Sequence, residues 1–525
     1  MIGKVLEHTL RQFGFWQPAR KGTPNSIAAP GRLGRTARMA VSASLLAPAL
    51  SGCILGSERP DLSLEVPAAY REAGRTAPDS HVPALDWWRG FRSNELTTLM
   101  DEAQIHNFDI AVAIAQIVQA DAQVGAAGSP LLPSVTGTST AEQIQSAAGT
   151  AVSGGTVFSR TSPQYSLGLT ASYMIDFWGK NRATLYAAEE NATSSRYNRE
   201  VVTLTTIVTV ANTYFQILAA QDELRVARRN LAAAERILTL IRQEFAGGTA
   251  SQLDVSQQEA LVATERAAIP PLEIILRQNI AALAVLVGRA PANFTVKGGM
   301  MTQIAIPRVT PGMPSELLNQ RPDIRQAEAL LASSNFSVEA ARAAFFPQIQ
   351  LTAQTGVQSA ALASLFGPGA WFYTLSAGLT QPLFDGFLLE SQLKQAKGVQ
   401  LQNLQAYRKA VLLAFSDVEK ALVALSQSIL QERLQVEAVA SSRKAFEVSE
   451  TQLRAGTVNL ITVLQTQQTL LTNENVLAQV RLTKLLAASS LFQALGGGWT
   501  PTGELSSLLP QDGPTPARPT SQHTN

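Results

Sequence analysis

Three stretches of the chain alternate apolar residues with polar residues or glycine almost without error. The polar positions are mostly glutamine, serine and threonine, so one side of each stretch is apolar and the other is polar but nearly uncharged. This period of two is typical of a β-strand with lipid on one face and water on the other, and each stretch is close to the roughly 9–11 residues that a tilted strand needs to cross a bilayer. We expect these positions to face lipid: Tyr165, Leu167, Leu169, Tyr173, Ile349, Leu351, Tyr373, Leu375 and Leu379.

The chain is built twice. Asp109 and Pro133 lie 24 residues apart, as do Asp323 and Pro347, and the glycine–threonine pair at 248–249 recurs at 456–457. Each half has the pattern of a helix, two strands, a long helix, a tight turn and a returning helix. The predicted segments are a signal peptide (1–52), an N-terminal linker (53–91), repeat 1 (92–300) with two strands near 133–177, a connector (301–315), repeat 2 (316–499) with two strands near 347–384, and a disordered tail (500–525).

The longest predicted helices follow the second strand of each half. The segment from Lys180 to Ala246 contains neither glycine nor proline, so one helix of about 67 residues and about 100 Å is predicted there. Leucines recur every seven positions at Leu224, Leu231 and Leu238, which is typical of a coiled-coil seam. Because shorter helices return after a tight turn in each half, the sequence predicts two coiled-coil α-hairpins.

The remaining helices are expected to fill the length of the two long ones. Single helices over 92–128 and 316–345 precede the strands and are predicted to stack end to end with the returning helices, which span 252–287 and 460–495. The adjacent prolines Pro270 and Pro271 predict a kink or bulge in the first returning helix.

Four strands per chain cannot close into a barrel. Open strand edges are not tolerated in hydrocarbon, so the strands must pair between subunits. Eight strands from two copies enclose an interior that side chains fill, whereas twelve strands from three copies leave a lumen. The sequence therefore predicts a mainly α protein with a β-barrel portion, assembled as a homotrimer around a 12-stranded transmembrane barrel.

Composition and motifs argue against other classes of function. The net charge of +2 gives no electrostatic footprint for nucleic acid, and no run of about 18 apolar residues predicts a membrane-spanning helix. The four histidines, His8, His81, His106 and His523, are scattered, and the sequence has no nucleophile elbow, phosphate-binding loop or zinc signature. We therefore expect neither an enzyme nor a metal site, and no cofactor.

Cys53, the single cysteine, follows a segment typical of an export signal. Three arginines between positions 32 and 38 precede an apolar run over 39–50, and Ser51 and Gly52 stand directly before the cysteine. This segment resembles a bacterial lipoprotein signal, which implies a lipid anchor on Cys53. Because Ile54 is not the aspartate that marks inner-membrane retention, the resemblance implies placement in the outer membrane. The alternative is a free cysteine after an ordinary signal peptide.

Several longer motifs resemble the outer-membrane factors of tripartite efflux pumps, in particular their lipoprotein branch (OprM and NodT types) and more distantly TolC. The motifs are WWRGF (87–91), NFDI (107–110), LVGR (286–289), PSELLNQRPDIRQAE (314–328), AFFP (344–347), RAGT (454–457) and ALGGGW (494–499). The resemblance implies a trimeric α-helical tunnel continuous with the barrel and reaching into the periplasm. It also implies docking on a periplasmic adaptor and on an inner-membrane transporter of the resistance-nodulation-division (RND) type.

This resemblance implies roles for the two hairpin turns and for one further motif. In such proteins the hairpin tips close the periplasmic mouth, so the candidate gate residues are Gly248, Thr249, Ser251 and Asp254 in the first turn and Gly456, Thr457 and Asn459 in the second. Asp254 also suits the start of a capped helix, and the second turn lacks a carboxylate. We expect Arg321, Pro322 and Asp323 to have a structural role at a helix start.

The function implied is a passive exit duct for small molecules such as drugs and other toxic compounds. The same duct serving metal export or type I protein secretion is an alternative, because the inner-membrane partner sets most of the specificity. A periplasmic coiled-coil scaffold is a further alternative, but such a protein would have one hairpin and no membrane-spanning strands.

Overall fold

The computed structural model describes residues 86–146, 160–307 and 314–497, together with Trp499 and several residues between 60 and 84. Cys53, the signal segment, the C-terminal tail (500–525) and the middle of the connector lie outside the described residues. The predictions that concern them stay predictions.

Four antiparallel strands form one sheet in the order β1-β2-β3-β4. Each half of the chain contributes two of them, and the central pairing of β2 with β3 joins the halves. The strands form because their apolar and polar residues alternate with the period of a pleated strand. Their bounds are Ser134–Ser146 (β1), Arg160–Ile175 (β2), Gln348–Ser359 (β3) and Trp371–Thr380 (β4).

Eight α-helices account for most of the described residues. The two long helices have 67 residues each, or about 100 Å, and the helices that return from them have 35 residues each. These equal lengths are those that the duplication predicts. The bounds are Asn94–His106 (α1), Phe108–Gly128 (α2), Lys180–Ala246 (α3), Gln252–Leu286 (α4), Pro314–Gln320 (α5), Pro322–Ala343 (α6), Leu388–Arg454 (α7) and Leu460–Ala494 (α8).

The single helices predicted over 92–128 and 316–345 are each two helices, so those two predictions are wrong. The first breaks at Asn107, whose extended backbone ends α1 and whose side chain caps α2 by accepting from the backbone N–H groups of Asp109 and Ile110. The second breaks at Arg321, where Pro322 begins α6. A proline at the first helical position has no N–H to lose and disfavours a helical residue before it.

Three helical segments are long and apolar enough, by length and composition alone, to cross a membrane: Asn94–Leu131, α3 and α4. None of these segments contains an uninterrupted apolar run of the length that a membrane-spanning helix needs, because scattered polar residues divide each segment, and the sequence therefore did not predict them. α3 nonetheless packs lengthwise against α2, α4, α6 and α8, and α4 continues as a helix through Pro270 and Pro271.

The helices line up as a row of four columns. α4 and α2 meet end to end, since the Asn107 amide donates to the carbonyl of Leu286, 2.8 Å away, and α8 meets α6 in the same way at Arg321. α3 packs between these two stacked columns, and α7 packs against α6 and α8. The order of columns is therefore α2/α4, α3, α6/α8 and α7, and the end-to-end stacking predicted from the sequence is present.

The main apolar core lies around the middle of α3, from Ile207 to Ala219. Trp87, Trp88 and Phe91 are buried there against α1, α3 and α8, and the Trp87 ring stacks on Phe492 with centroids 4.5 Å apart. This core fixes the N-terminal segment to both repeats. A second apolar cluster lies near the hairpin turns, and it includes Ile241 on α3, Val255 on α4 and Leu453 on α7.

Candidate conduction site: sheet faces, hairpin turns and repeat junctions

The register of the sheet brings the nine predicted lipid-facing positions to one face. Directly opposed residues in an antiparallel pair share a face, and Tyr173 opposes Leu351 while Ile349 opposes Leu379. The other positions follow by the strand period of two. This face is mainly apolar, although Ser139 and Gln143 on β1 and Thr355 on β3 also lie on it. Its residues on β4 are open in the single chain, with Leu375 74% exposed.

The opposite face of the sheet consists mainly of hydroxyl and amide side chains. Hydroxyl pairs bridge β1 and β2 at Ser134 and Ser172, 2.8 Å apart, and at Thr140 and Ser166, 2.6 Å apart. The residues of this face on the two central strands are Gln164, Ser166, Gly168, Thr170, Ser172 and Met174 on β2 and Gln348, Gln350, Thr352, Gln354, Gly356 and Gln358 on β3. Such a surface can hydrogen-bond water without attracting ions of one sign.

Both edges of the sheet are open. Among the described residues, β1 pairs only with β2, and β4 pairs only with β3. An edge strand presents a row of backbone N–H and C=O groups that need partners. A further strand can therefore pair with the sheet at either edge.

The first hairpin turn is a capped helix end. Gly248 has a φ of 77°, and the backbone N–H of Thr249 reaches back to the carbonyl of Glu244 at 2.9 Å. Ser251 then begins α4: its hydroxyl accepts from the backbone N–H of Asp254, and its own N–H and hydroxyl donate to the Asp254 carboxylate at 2.8 and 2.6 Å. These hydrogen bonds from Ser251 lower the pKa of Asp254.

The second hairpin turn repeats this geometry without the carboxylate. Gly456 has a φ of 68°, and the N–H of Thr457 donates to the carbonyl of Gln452 at 2.9 Å. The Asn459 side chain accepts from both the backbone N–H and the hydroxyl of Thr462, at 3.1 and 2.9 Å. All seven gate candidates thus have local roles in turns or caps, and their part in gating stays a prediction.

Arg321 joins α6 to the end of α8. Its guanidinium donates to both Asp323 oxygens at 2.9 and 2.7 Å, to Asp417 on α7 at 3.3 Å and to the Ala494 carbonyl at 3.2 Å. Burial opposes the charged form, but the hydrogen bonds and attraction of Asp323 and Asp417 outweigh it and raise the pKa of Arg321. These contacts join α6, α7 and α8 at one point, and the structural role expected for the motif stays a prediction.

Sequence analysis missed the matching contact in repeat 1. Asn107 stands where Arg321 stands in repeat 2, and each donates to the last carbonyl of the returning helix, Leu286 in one case and Ala494 in the other. At both junctions a glycine lies close to the helix before the cap: a Cβ on Gly496 would be 2.3 Å from the carbonyl oxygen of Gln320. The constant spacing between the repeats was the signal that could have found this pair.

Two buried acids within the returning helices were also missed. Glu265 on α4 and Glu474 on α8 are about 5% exposed, and burial raises the pKa of Glu265. Both lie in a heptad that continues from buried valines, for example Val255 and Val262 on α4. An acid at a core position of a heptad is the sequence signal for a polar contact inside the helical wall.

The described residues contain no group of three or more His, Cys, Asp or Glu side chains that could hold a metal ion. A cavity of about 520 Å³ lies between α7 and α8 beside Arg321 and Asp417, and small side chains such as Ala421 and Ser490 line it. The most distinctive features of the described structure are the sheet with one apolar and one polar face and the row of long helices.

A family model described as outer membrane efflux protein matches residues 99–289 and 313–497. The chain belongs to this family. It is therefore an outer-membrane efflux channel that extends into the periplasm, and not an enzyme. The two matched segments lie one in each half of the duplicated chain.

Individual relatives agree with this assignment. The chain is 36% identical to the pyoverdine export outer membrane protein OpmQ of Pseudomonas aeruginosa, over 84% of this chain and 92% of that protein. It is 28% identical to the probable outer membrane lipoprotein SilC of Salmonella typhimurium, over 86% and 96%. The solved open state of the Neisseria gonorrhoeae MtrE outer membrane channel is 27% identical with a TM-score of 0.74, over 85% of this chain and 98% of that one.

Proposed function

We propose that three copies of the chain form the outer-membrane exit duct of a tripartite efflux pump. The duct passively conducts small molecules that an inner-membrane RND-type transporter delivers through a periplasmic adaptor. In this proposal the nine apolar positions of the sheet face lipid, the polar face lines the lumen, and a lipid on Cys53 anchors each copy.

One observation carries the proposal: a four-stranded sheet with one apolar face ends in two open edges. Unpaired backbone groups in hydrocarbon cost several kcal/mol each, so β1 and β4 need partners once the apolar face enters a bilayer. Pairing β4 of one copy with β1 of the next closes a ring. Three copies give about 12 strands, which is enough for a water-filled lumen.

The lining supports a passive duct for varied solutes. The polar face carries hydroxyl and amide groups, which replace the hydration of a passing solute without holding it strongly. Because this face is nearly uncharged, it favours neither anions nor cations. In this proposal, the energy for transport and the choice of substrate come from the transporter and the adaptor.

The likeness to OpmQ favours a class of substrate. That relative is named for pyoverdine export, and it matches this chain over most of both lengths. We propose pyoverdine-like secreted compounds and drugs as the first substrates to test. Export of free metal ions or of proteins by the type I route would replace this part of the proposal.

The test compares a deletion strain with the complemented strain. Outer-membrane extracts should contain a species of trimer size that shifts to monomer on heating, and the purified protein should form conducting channels in planar bilayers. Mass spectrometry of the medium should show secreted small molecules that the deletion strain retains. A protein that stays monomeric in the envelope, or that gives no channels, contradicts the proposal; a loss of secreted protein or metal alone redirects the substrate.

A further inference from the structure

A charge triad links three helices within one chain. Glu474 on α8 accepts hydrogen bonds from Arg229 on α3 and from Arg443 on α7, each at 2.6 Å. The Glu474 side chain is only 5% exposed because α3 and α7 cover it from both sides. The triad therefore fixes the register between the long helix of repeat 1 and the hairpin of repeat 2.

The same three positions in the other repeat carry the opposite charges. α3 and α7 have equal lengths, as do α4 and α8, so each residue has one counterpart at a constant spacing of 208. Arg443 corresponds to Glu235, and Glu474 corresponds to Arg266. These two counterparts already form an ion pair of 2.9 Å within the first hairpin.

Within one chain, the residue equivalent to Arg229 does not join the ion pair of Glu235 and Arg266. Arg229 corresponds to Glu437, which is exposed on α7 at one end of the row of helices. Arg266 lies on α4 at the other end of the row, and its side chain is 67% exposed, against 5% for its counterpart Glu474. Repeat 1 thus has two members of a triad and lacks the long helix that would bring the third.

We infer that α7 of a second copy supplies this helix, so that its Glu437 pairs with Arg266 beside Glu235. The inference rests on the proposed trimer and adds to it the register of the boundary between subunits. The contact between α3 and α8 within the chain is the template: α7 packs on α4 of the next copy as α3 packs on α8. Six triads then alternate around the tunnel, three within chains and three between them.

Apolar residues beside the triad agree with this register. Val226 on α3 and Leu482 on α8 are half-buried, and their spacing from Arg229 and Glu474 puts them on the same helix faces as these two residues. Their counterparts are Leu434 on α7 and Ile274 on α4, which are 53% and 55% exposed in the single chain. A second copy docked as inferred would cover both, which is the usual fate of large apolar side chains at a subunit boundary.

The reversal of charge gives the boundary its specificity. The triad within the chain has the signs plus, minus, plus, whereas the triad between chains has minus, plus, minus. If α7 docked on α8 of another copy, Glu437 would meet Glu474, and like charges at close range repel. The two kinds of boundary therefore cannot exchange, and the repeats are forced to alternate.

Cross-linking measures the register. Chains carrying Glu437→Cys and Arg266→Cys are treated with a short bismaleimide in outer-membrane extracts. We expect covalent dimers and trimers from this pair. The matched pair Arg229→Cys and Glu474→Cys should link within one chain, with both thiols lost and no increase in size. The parent chain, whose native cysteine is Cys53, shows the background.

Two further pairs distinguish this register from others. Glu437→Cys is combined with Glu259→Cys or with Glu273→Cys, which lie one heptad to either side on α4, about 10 Å away along the helix. These pairs should give little product. If heat-modifiable trimers form but Glu437→Cys links to 259 or 273, or to none of the three, the inference is overturned while the proposed function stands. If no trimer forms, the proposed function fails.

Charge substitutions test the pairing itself. Glu437→Arg should lower the temperature at which the trimer dissociates. The triple variant with Glu437→Arg, Arg266→Glu and Glu235→Arg rebuilds the triad with the signs found inside the chain, and should return that temperature toward the parent value. A triple variant that is no more stable than the single one contradicts the charge pairing.

Discussion

Replacing Gly496 by alanine should disrupt the junction between α8 and α6. Gly496 has a φ of 89°, and an added Cβ would lie 2.3 Å from the carbonyl oxygen and 3.0 Å from the carbonyl carbon of Gln320. Gly456, in the second hairpin turn, is the matched control. Its φ is 68°, and a Cβ there would meet no described heavy atom within 4 Å.

The strain of a left-handed backbone destabilises both variants, whereas a steric clash destabilises only Gly496→Ala. A left-handed backbone costs alanine roughly 1–2 kcal/mol at either position. At Gly496 the clash also forces the backbone apart, which costs about 1–3 kcal/mol more by analogy with overpacked cores. The shift would separate Arg321 from the Ala494 carbonyl, a bond to a charged group worth about 1.5–3 kcal/mol at most. We therefore expect Gly496→Ala to be about 1–6 kcal/mol more destabilising per chain than Gly456→Ala.

The assay is unfolding of each purified variant in the same detergent, followed by helical circular dichroism at equal protein concentration. The melting temperature of Gly496→Ala should lie clearly below that of Gly456→Ala, and the latter should lie only slightly below the parent. Gly288→Ala provides a repeat of the experiment in the first half, since its Cβ would lie 2.4 Å from the His106 carbonyl oxygen. Equal melting temperatures for Gly496→Ala and Gly456→Ala would refute the reasoning.

Other predictions concern the sheet, the turn and the anchor. Leu375→Arg should cost roughly 2–4 kcal/mol on a lipid face and reduce the trimer in outer-membrane extracts, whereas the neighbouring Thr374→Arg on the other face should assemble; equal trimer levels would count against the assignment of faces. The double variant Ser251→Asn with Asp254→Thr copies the second turn into the first and should keep the parent stability, and a large change in bilayer conductance would show that the carboxylate gates the channel. Cys53→Ser should abolish metabolic palmitate labelling, and persistent labelling would rule out this anchor.

Local sequence patterns predicted most of the elements. The strands β2, β3 and β4 follow from alternation over about eight to ten residues, and α3 follows from the lack of glycine and proline between Lys180 and Ala246. The hairpin turns follow from a glycine and a capping residue at fixed positions. Each of these signals lies within one contiguous segment of the chain, so it can be found without knowing what packs against that segment.

The helix breaks at Asn107 and Arg321 could not be predicted in this way. An asparagine or an arginine within an apolar helical pattern is compatible with a continuous helix. The break is stabilised because each side chain reaches a carbonyl that is more than 170 residues away in sequence. Only the folded chain places that carbonyl at the junction.

The sequence by itself determined that the chain has strands with two unlike faces, long hairpins and a duplication. Periodicity can be read within one segment, and a repeat can be found by comparing the chain with itself. The tertiary structure decided that β2 pairs with β3 across the repeats and that Arg229, Glu474 and Arg443 meet. Long-range pairing depends on which surfaces the folded helices and strands present to one another. The opposite charges at the equivalent positions can be read in the sequence. Only the contacts of Arg229 and Arg443 with Glu474 in the folded chain show which of these positions pair.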